Sequence, residues 1–435
     1  MCKFSFRPII INLTFFNIKF RFLIFFKVYI SVRKNITLKM LLVESHIIKQ
    51  TNELNDLTFK CKNLYNKANY IIRQEFINNG NYISKFDMFT ICKDMDEYKA
   101  LPVRISRGVL RTLDANWKSF FSCIKKWKSN KSIFNGKPNL PKYLDKKGKF
   151  TALFYETAIL KPNKKNPNTV GLSSLNMRLP IKTENKIVEI QIIPLINGNY
   201  KINIVYDFKE KELKKDNKKY CSIDLGINNL MTVTSNKEGI KPFIVNGRPL
   251  KSMNQYYNKL KSEYQSTLPK NIKTSKRIKQ LTFKRECKVN DYLHKASKFI
   301  IDFCLKNKLN TLIIGYNDLW KQNVNIGRRN NQNFVQIPFH KLKFMLEYKC
   351  QREGINFMFH EESYTSKCSF LDLEEIKKHE KYLGSRIKRG MFRSKDGLFI
   401  NSDVNGSYNI LRKVIPNAFV DGIEGVAVHP YKVNL

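Results

Sequence analysis

Apolar side chains fall in two rhythms along the chain, and the changes of rhythm mark its parts. From Leu42 to Asn79 they recur at Leu54, Leu57, Cys61, Leu64, Ala68, Ile71 and Phe76. Those steps of three, four and five predict an amphipathic helix that stops at Gly80. Val103 to about Lys128 repeats the pattern, with Leu110, Leu113, Trp117, Phe120, Phe121 and Ile124 on one broad face and Arg and Lys on the other. A core stripe under a solvated basic face accounts for this, and the basic face is also placed to meet phosphates. From Lys149 to Asp207 the period shortens to two. Tyr200, Ile202, Ile204 and Tyr206 alternate with polar neighbours, and Asn197-Gly198 predicts a two-residue hairpin before them. The charged run Lys209–Lys219 reads as a linker and the main domain boundary.

Beyond the linker, the apolar run around Cys221–Leu225, then MTVTSN and KPFIVN, predict three strands of an antiparallel meander. Lys251 to Lys306 reads as a long basic helix, Thr311–Gly315 as a short buried strand, and Ile337 to Glu353 as a helix stopped by Gly354. INFMFHEE reads as a strand ending in Glu361 and Glu362, and LFINSDVNGSYNILRK puts Asp403 just before a helix carrying Tyr408, Ile410 and Leu411.

Within this pattern Asp224 stands out, because a carboxylate in a buried strand is costly unless it is paired or binds a metal. Three carboxylate positions then stand at element ends: Asp224, Glu361 or Glu362, and Asp403. The order strand-Asp, meander, helix, strand, helix, strand-Glu, helix-Asp suits an RNase H-like nuclease, whose acidic groups converge on Mg²⁺. The plainer alternative is that Asp403 is a helix N-cap and the glutamates are surface charges. His294, alone on a helix, is more often structural than catalytic.

Charge sharpens the picture. Lys and Arg number 79 against 36 Asp and Glu, a net charge of +43 spread along all 435 residues. That favours a polyanionic partner, with nucleic acid first and a membrane surface second. Hydrophobic content of 42% argues against disorder and supplies real cores. The nine cysteines show no CxxC spacing, which points to reduced core thiols and away from a disulfide framework or a zinc site. In residues 1–39 the apolar stretch Pro8–Ile18 is too short to span a bilayer and no small-residue cleavage site follows. Met40 is the expected working start, with 1–39 an over-extended reading frame or a disordered leader; a basic membrane-surface segment is the alternative.

Five segments carry a specific resemblance: SIDLGINNLMTVTS, LIIGYNDLWKQ, IGRRNNQNFVQIPFHKL, ESYTSKCSFLD and INSDVNGSYNILRK. In this order, over roughly Lys218 to the C-terminus, they resemble the RuvC-like nuclease half of the OrfB/TnpB family of insertion-sequence proteins. Weaker similarity covers Leu101 to Tyr143. The resemblance implies a transposon-encoded RNA-guided DNA endonuclease related to type V CRISPR effectors. The implied fold is α/β, an RNase H-like (RuvC) domain with an N-terminal β-barrel plus a helical recognition lobe. Mapped onto this chain, 1–39 is the doubtful leader and 40–148 the helical recognition lobe with the first part of the barrel. Residues 149–217 are the wedge-like barrel region, 218–412 the nuclease domain with a helical insertion at 251–308 and a degenerate zinc loop at 366–402, and 413–435 a C-terminal tail.

By the same resemblance Asp224 and Asp403 are the first and last catalytic and metal-binding carboxylates. Most members carry Glu where this chain has Gly315; a subset has it just before YTS, which makes Glu362 the third, with Glu361 as fallback. The implied cofactor is Mg²⁺, as two ions, with Mn²⁺ as a substitute. Many members hold zinc on four cysteines between YTS and the last Asp. This interval has only Cys368, with His379 nearby, so no zinc is expected and packing and hairpin contacts must hold the loop. The expected nucleic-acid contacts are Arg285, Lys321, Arg328, Arg329, Lys137 and Lys142, and Trp320 is either a stacking or a core residue. Guide RNA and double-stranded target DNA are the expected partners, with no stable membrane association and a cytoplasmic, nucleoid-associated location. Oligomeric state, guide and target-adjacent motif are not legible in the sequence. Two other readings remain: a nuclease-inactive RNA-guided DNA-binding protein or repressor, and a non-catalytic basic RNA-binding protein. The transposase label often given to the family is treated as historical, since nothing here resembles a tyrosine strand-transfer machinery.

Overall fold

The structure is a computed structural model that describes residues 9–10, 39–316, 327, 331–332, 335–420, 422–423 and 425–435. The chain forms two compact units, Met1–Lys209 and Glu210–Leu435.

The first unit runs β1 (Ile9–Ile10), β2 (Lys39–Ile48), α1 (Asn52–Asn79), α2 (Lys85–Cys92), α3 (Asp96–Lys99) and α4 (Val103–Ser129). Six strands follow: β3 (Ala152–Tyr155), β4 (Ile159–Leu160), β5 (Thr169–Leu172), β6 (Leu175–Pro180), β7 (Ile187–Pro194) and β8 (Tyr200–Lys209). The Thr51 side chain caps α1 by accepting from the Leu54 amide, and left-handed Gly80 ends it. Residues 42–48, expected in that helix, instead form β2, which pairs with β8 along its whole length. The hydrogen-bonded Glu44 and His46 are buried in it, and the pairing of β2 with β8 outweighs the helical reading. Trp117 of α4 is fully buried among Phe76, Phe120 and Phe121 and donates to Asn69 Oδ1 at 3.0 Å, so the aromatic stripe is core.

The sheet order is β1-β2-β8-β7-β3, with β4-β5-β6 as a separate sheet. Among the described residues the larger sheet keeps two edges and does not close into the expected barrel. The Asn197-Gly198 hairpin is present, but Leu195 N donates to Asn199 O, so its loop has one residue more than expected, Ile196. Gly198, at φ +92°, supplies the conformation that the turn requires.

The second unit begins with the meander β9 (Tyr220–Leu225), β10 (Asn229–Ser235) and β11 (Phe243–Asn246). Next come α5 (Arg248–Ser266), α6 (Lys276–Lys306), β12 (Thr311–Gly315), α7 (Phe339–Glu353) and β13 (Asn356–His360). The hairpin strands β14 (Ser385–Lys388), β15 (Met391–Arg393) and β16 (Phe399–Ile400) lead to α8 (Ser402–Val414) and β17 (Tyr431–Val433). The single helix expected over 251–306 is broken between α5 and α6, where Pro269 and the N-cap Ser275 restart it.

The main sheet has the order β13-β12-β9-β10-β11-β17. β9, β10 and β11 are antiparallel, while β12 runs parallel to β9 and β13 parallel to β12. The C-terminal ends of β9, β12 and β13 therefore share one edge, and the element order expected from the sequence is realised. The expected tail adds a strand, since β17 pairs parallel with β11. Among the described residues no helix is long and apolar enough to cross a membrane.

Candidate active site

Strand pleating sends Ser222 and Asp224 to the same face of β9. That face meets α8. Ser222 Oγ donates to Ser407 O at 2.8 Å, and Ser407 Oγ donates to the carbonyls of Ser222 and Thr232, each at 3.2 Å. Beside it on α8, a Cβ added to Gly406 would stand 3.1 Å from Asp224 Oδ2. Small residues at 406 and 407 thus let the helix backbone come close enough to place Asp403 near Asp224. Asp403 is not the N-cap: Asn401 is, accepting from the amides of Asp403 and Val404 at 3.0 and 3.2 Å. The Asp403 carboxylate is left in the first turn, where its Oδ2 accepts from Asn229 Nδ2 at 2.5 Å.

The third carboxylate arrives from beyond β13. Glu362 lies over Gly315, the last residue of the adjacent β12. A Cβ on Gly315 would fall 2.8 Å from Glu362 Oε2 and closer still to Ile410 Cδ1. The space a side chain at the end of β12 would fill is taken by a carboxylate from the neighbouring strand end. Glu361 turns away: its Oε2 pairs with Lys413 Nζ at 3.0 Å and its Oε1 accepts from Ser363 N. Thr365 fixes the backbone of Glu362, donating from Oγ1 to its carbonyl at 2.8 Å. Asn409 of α8 in turn donates to the carbonyls of Thr365 and Cys368, and Asn405 bridges Cys368 O and Phe370 N. The ESYTS turn is therefore bolted to the helix that carries Asp403.

Electrostatics record this convergence. Little of Asp224 reaches the surface, and its pKa is raised well above the usual carboxylate range, first by burial and then by the charges of Glu362 and Asp403. The Leu225 amide and Arg386 of β14 oppose that rise. Glu362 is pushed up to about 7, chiefly by burial and then by Glu361, with Lys413 opposing. Among the described residues no three His, Cys, Asp or Glu side chains are gathered tightly enough to hold an ion as they stand. The donor set nonetheless fits a hard divalent cation: it is all oxygen, partly buried, and raised in pKa by burial and mutual charge that a cation would relieve.

Of the expected nucleic-acid contacts, Lys137 and Lys142 are exposed on a loop tied to α1, whose Asn66, Asn69 and Arg73 donate to Leu144 and Pro141 carbonyls. Arg285 is partly buried and makes internal contacts. Its guanidinium donates to Asn254 Oδ1 at 2.7 Å and to Gln336 O at 3.2 Å and lies over the Tyr257 ring, and burial lowers its pKa. Lys321, Arg328, Arg329 and Trp320 lie outside the described residues, as does nearly all of 1–39. His294 is buried in α6, its carbonyl accepting from Lys349.

The 366–402 loop is held by Phe370, Phe392, Ile400, Val404 and Tyr408, with Phe370 stacked on Tyr408 at 4.4 Å. The buried Glu374 carboxylate adds bonds from the amides of Ser369 and Leu383. Cys368 donates its thiol hydrogen to backbone carbonyls. The residues that sequence reasoning missed are Asn229, Thr365, Arg386, Asn405, Gly406 and Asn409. All but Arg386 sit inside the five quoted segments, so spacing along α8 was the available signal.

The chain is similar to known proteins over both halves of this unit. Residues 203–321 match the OrfB_IS605 family model, described as "Probable transposase", and residues 339–410 match "Cas12f1-like, TNB domain". A TnpB-like protein of Methanocaldococcus jannaschii is 29% identical over 39% of this chain and 66% of its own length, just under two thirds. The CRISPR-associated endodeoxyribonuclease Cas12f2 of a Micrarchaeota archaeon is 24% identical over 52% of this chain and 42% of its own. Among solved structures, the chain in a Cas12f1-sgRNA-target DNA complex superposes with a TM-score of 0.52 at 15% identity, covering 82% of each chain, which speaks to fold alone. Asp224 and Gly315 fall in the first matched segment and Glu362 and Asp403 in the second, and these matches support the resemblance of the chain to the OrfB/TnpB family.

Proposed function

We propose that this protein is an RNA-guided, divalent-metal-dependent DNA endonuclease of RuvC type, encoded by a mobile element. The observation that carries the reading is the seating of Glu362 over Gly315, beside Asp224 and near Asp403. A carboxylate over Gly315 supports this reading over that of a nuclease-inactive protein, which the glycine at 315 by itself favours. Asp224, Glu362 and Asp403 would hold Mg²⁺. Bound there, Mg²⁺ supplies an activated water and charge stabilisation at the leaving oxygen. The chain's own residues do the rest. Asn229 orients the Asp403 carboxylate, and Thr365 with Asn409 fixes the approach of Glu362. Burial pushes the Glu362 carboxyl up to about 7, so a cation binding there would compete with a proton. Arg386 sets positive charge beside the carboxylates, where a phosphodiester must come. Guide RNA and target DNA are the partners this reading requires, and the net charge of +43 suits both.

The test is cleavage of a target plasmid by the protein purified with its RNA, in Mg²⁺. Asp224→Ala and Asp403→Ala are expected to abolish cutting while retaining RNA. Cleavage by both at the parent's rate would refute the mechanism.

A further inference from the structure

Tyr364 stands two residues after Glu362 with φ +68°, in the left-handed region. Bulky side chains rarely adopt that conformation, and glycine is the residue that adopts it freely. The turn around Tyr364 is over-determined by bonds. Its carbonyl accepts from the amides of Lys367 and Cys368, Lys413 donates to Ser363 O, and Thr365 to Glu362 O. Thr365 beside it is 3% exposed, whereas Tyr364 itself is 37% exposed. A structural role for the ring would bury it. Instead a backbone in a sparsely populated conformation leaves the ring partly exposed, two residues beyond Glu362. Strain kept at such a position is the mark of a functional demand on the side chain.

We propose that Tyr364 is a base-stacking residue that receives an unpaired nucleotide of the DNA strand entering the carboxylate site. A base offers a flat face to an aromatic ring whatever its identity, so the contact positions the strand without selecting sequence. Stacking there would fix the nucleotide flanking the phosphodiester presented to Glu362 and Asp224. The inference rests on the nuclease reading for the identity of the strand.

The test uses the full chain and a short single-stranded DNA carrying 2-aminopurine, whose fluorescence is quenched on stacking. Tyr364→Phe is expected to quench as the parent does. Tyr364→Gly, which relieves the backbone, is expected to melt at the same or a higher temperature, yet to lose the quenching and bind the strand about tenfold more weakly, on the order of one base stack. Undiminished quenching and affinity in Tyr364→Gly would overturn the proposal. Mg²⁺-dependent cleavage is scored separately. A parent that quenches but never cuts defeats the nuclease reading and leaves the stacking residue standing, and a parent that cuts with Tyr364→Gly unaltered in quenching defeats only the stacking.

Discussion

At the scale of single residues, the site is governed by the burial of its carboxylates, with their mutual repulsion second, and this has a thermodynamic consequence. Glu362 has a pKa of about 7 in the folded chain against an ordinary value of 4.5. Between those values the folded state binds more protons than the unfolded state, so stability falls as pH rises from 4.5 through 7. The penalty is complete above that window and on the order of 3 kcal/mol. Glu362→Gln removes it. The variant is expected to melt above the parent at pH 8 and level with it at pH 4.5, as followed by thermal denaturation. Mg²⁺ should raise the parent's melting temperature at pH 8 and raise that of Glu362→Gln much less, since an ion that binds the folded state stabilises it by mass action. Equal Mg²⁺ shifts in both proteins would remove Glu362 from the ion's ligands. Asp224 and Asp403 were legible because a carboxylate in a buried strand or at a helix start is conspicuous. The choice of Glu362 over Glu361 was not, because it depends on Lys413, 52 residues beyond Glu361 in sequence, which pairs with it.

At the scale of elements, α8 is the part on which the site depends, and its closeness to the sheet can be tested. Gly315→Ala puts a methyl group 2.8 Å from Glu362 Oε2 and against Ile410 Cδ1. It is expected to cost about 1–3 kcal/mol through overpacking, seen in urea denaturation. Cleavage should fall more than folding does, because Glu362 is the side chain displaced. Asn409→Ala leaves the carbonyls of Thr365 and Cys368 without this donor, for about 1–3 kcal/mol, and frees the ESYTS turn. Cleavage lowered at saturating Mg²⁺ and RNA, with the fold intact by circular dichroism, is the expected result; wild-type cleavage would show that the turn holds without α8. Periodicity read α4, the meander, α7 and α8 well, since each carries a full amphipathic or alternating run. It failed at β2, whose pairing with β8 sets its conformation although only the short polar stretch Lys49–Glu53 separates it from the helical pattern, and at β17, whose pairing with β11 leaves no pattern in 3 residues.

At the scale of the whole molecule, the charge of +43 and the acidic cluster make opposite demands that can be separated by salt. Phosphate contacts release counterions, so the logarithm of the affinity for RNA falls linearly with the logarithm of salt, by about 0.7 per contact for single strands. Lys137 and Lys142 are exposed on their loop and should each contribute such a contact. Replacing both with Gln is therefore expected to flatten the slope by about 1.4, measured by filter binding across a salt series. Arg285 is committed to Asn254 and Gln336, so Arg285→Gln should lower the melting temperature while leaving the slope unchanged. Asp224→Ala should also leave the slope unchanged, because a carboxylate meant for a cation neutralises no phosphate. That pattern separates gripping nucleic acid from cutting it. A basic binding protein without a catalytic site would show the same slopes but no Mg²⁺ effect on its melting temperature and no preference for any one RNA. Sequencing the RNA recovered with the full chain completes the comparison. A guided nuclease should carry a uniform species copied from the end of its own element, whereas heterogeneous RNA, together with an absent Mg²⁺ response, would reduce the protein to an electrostatic binder.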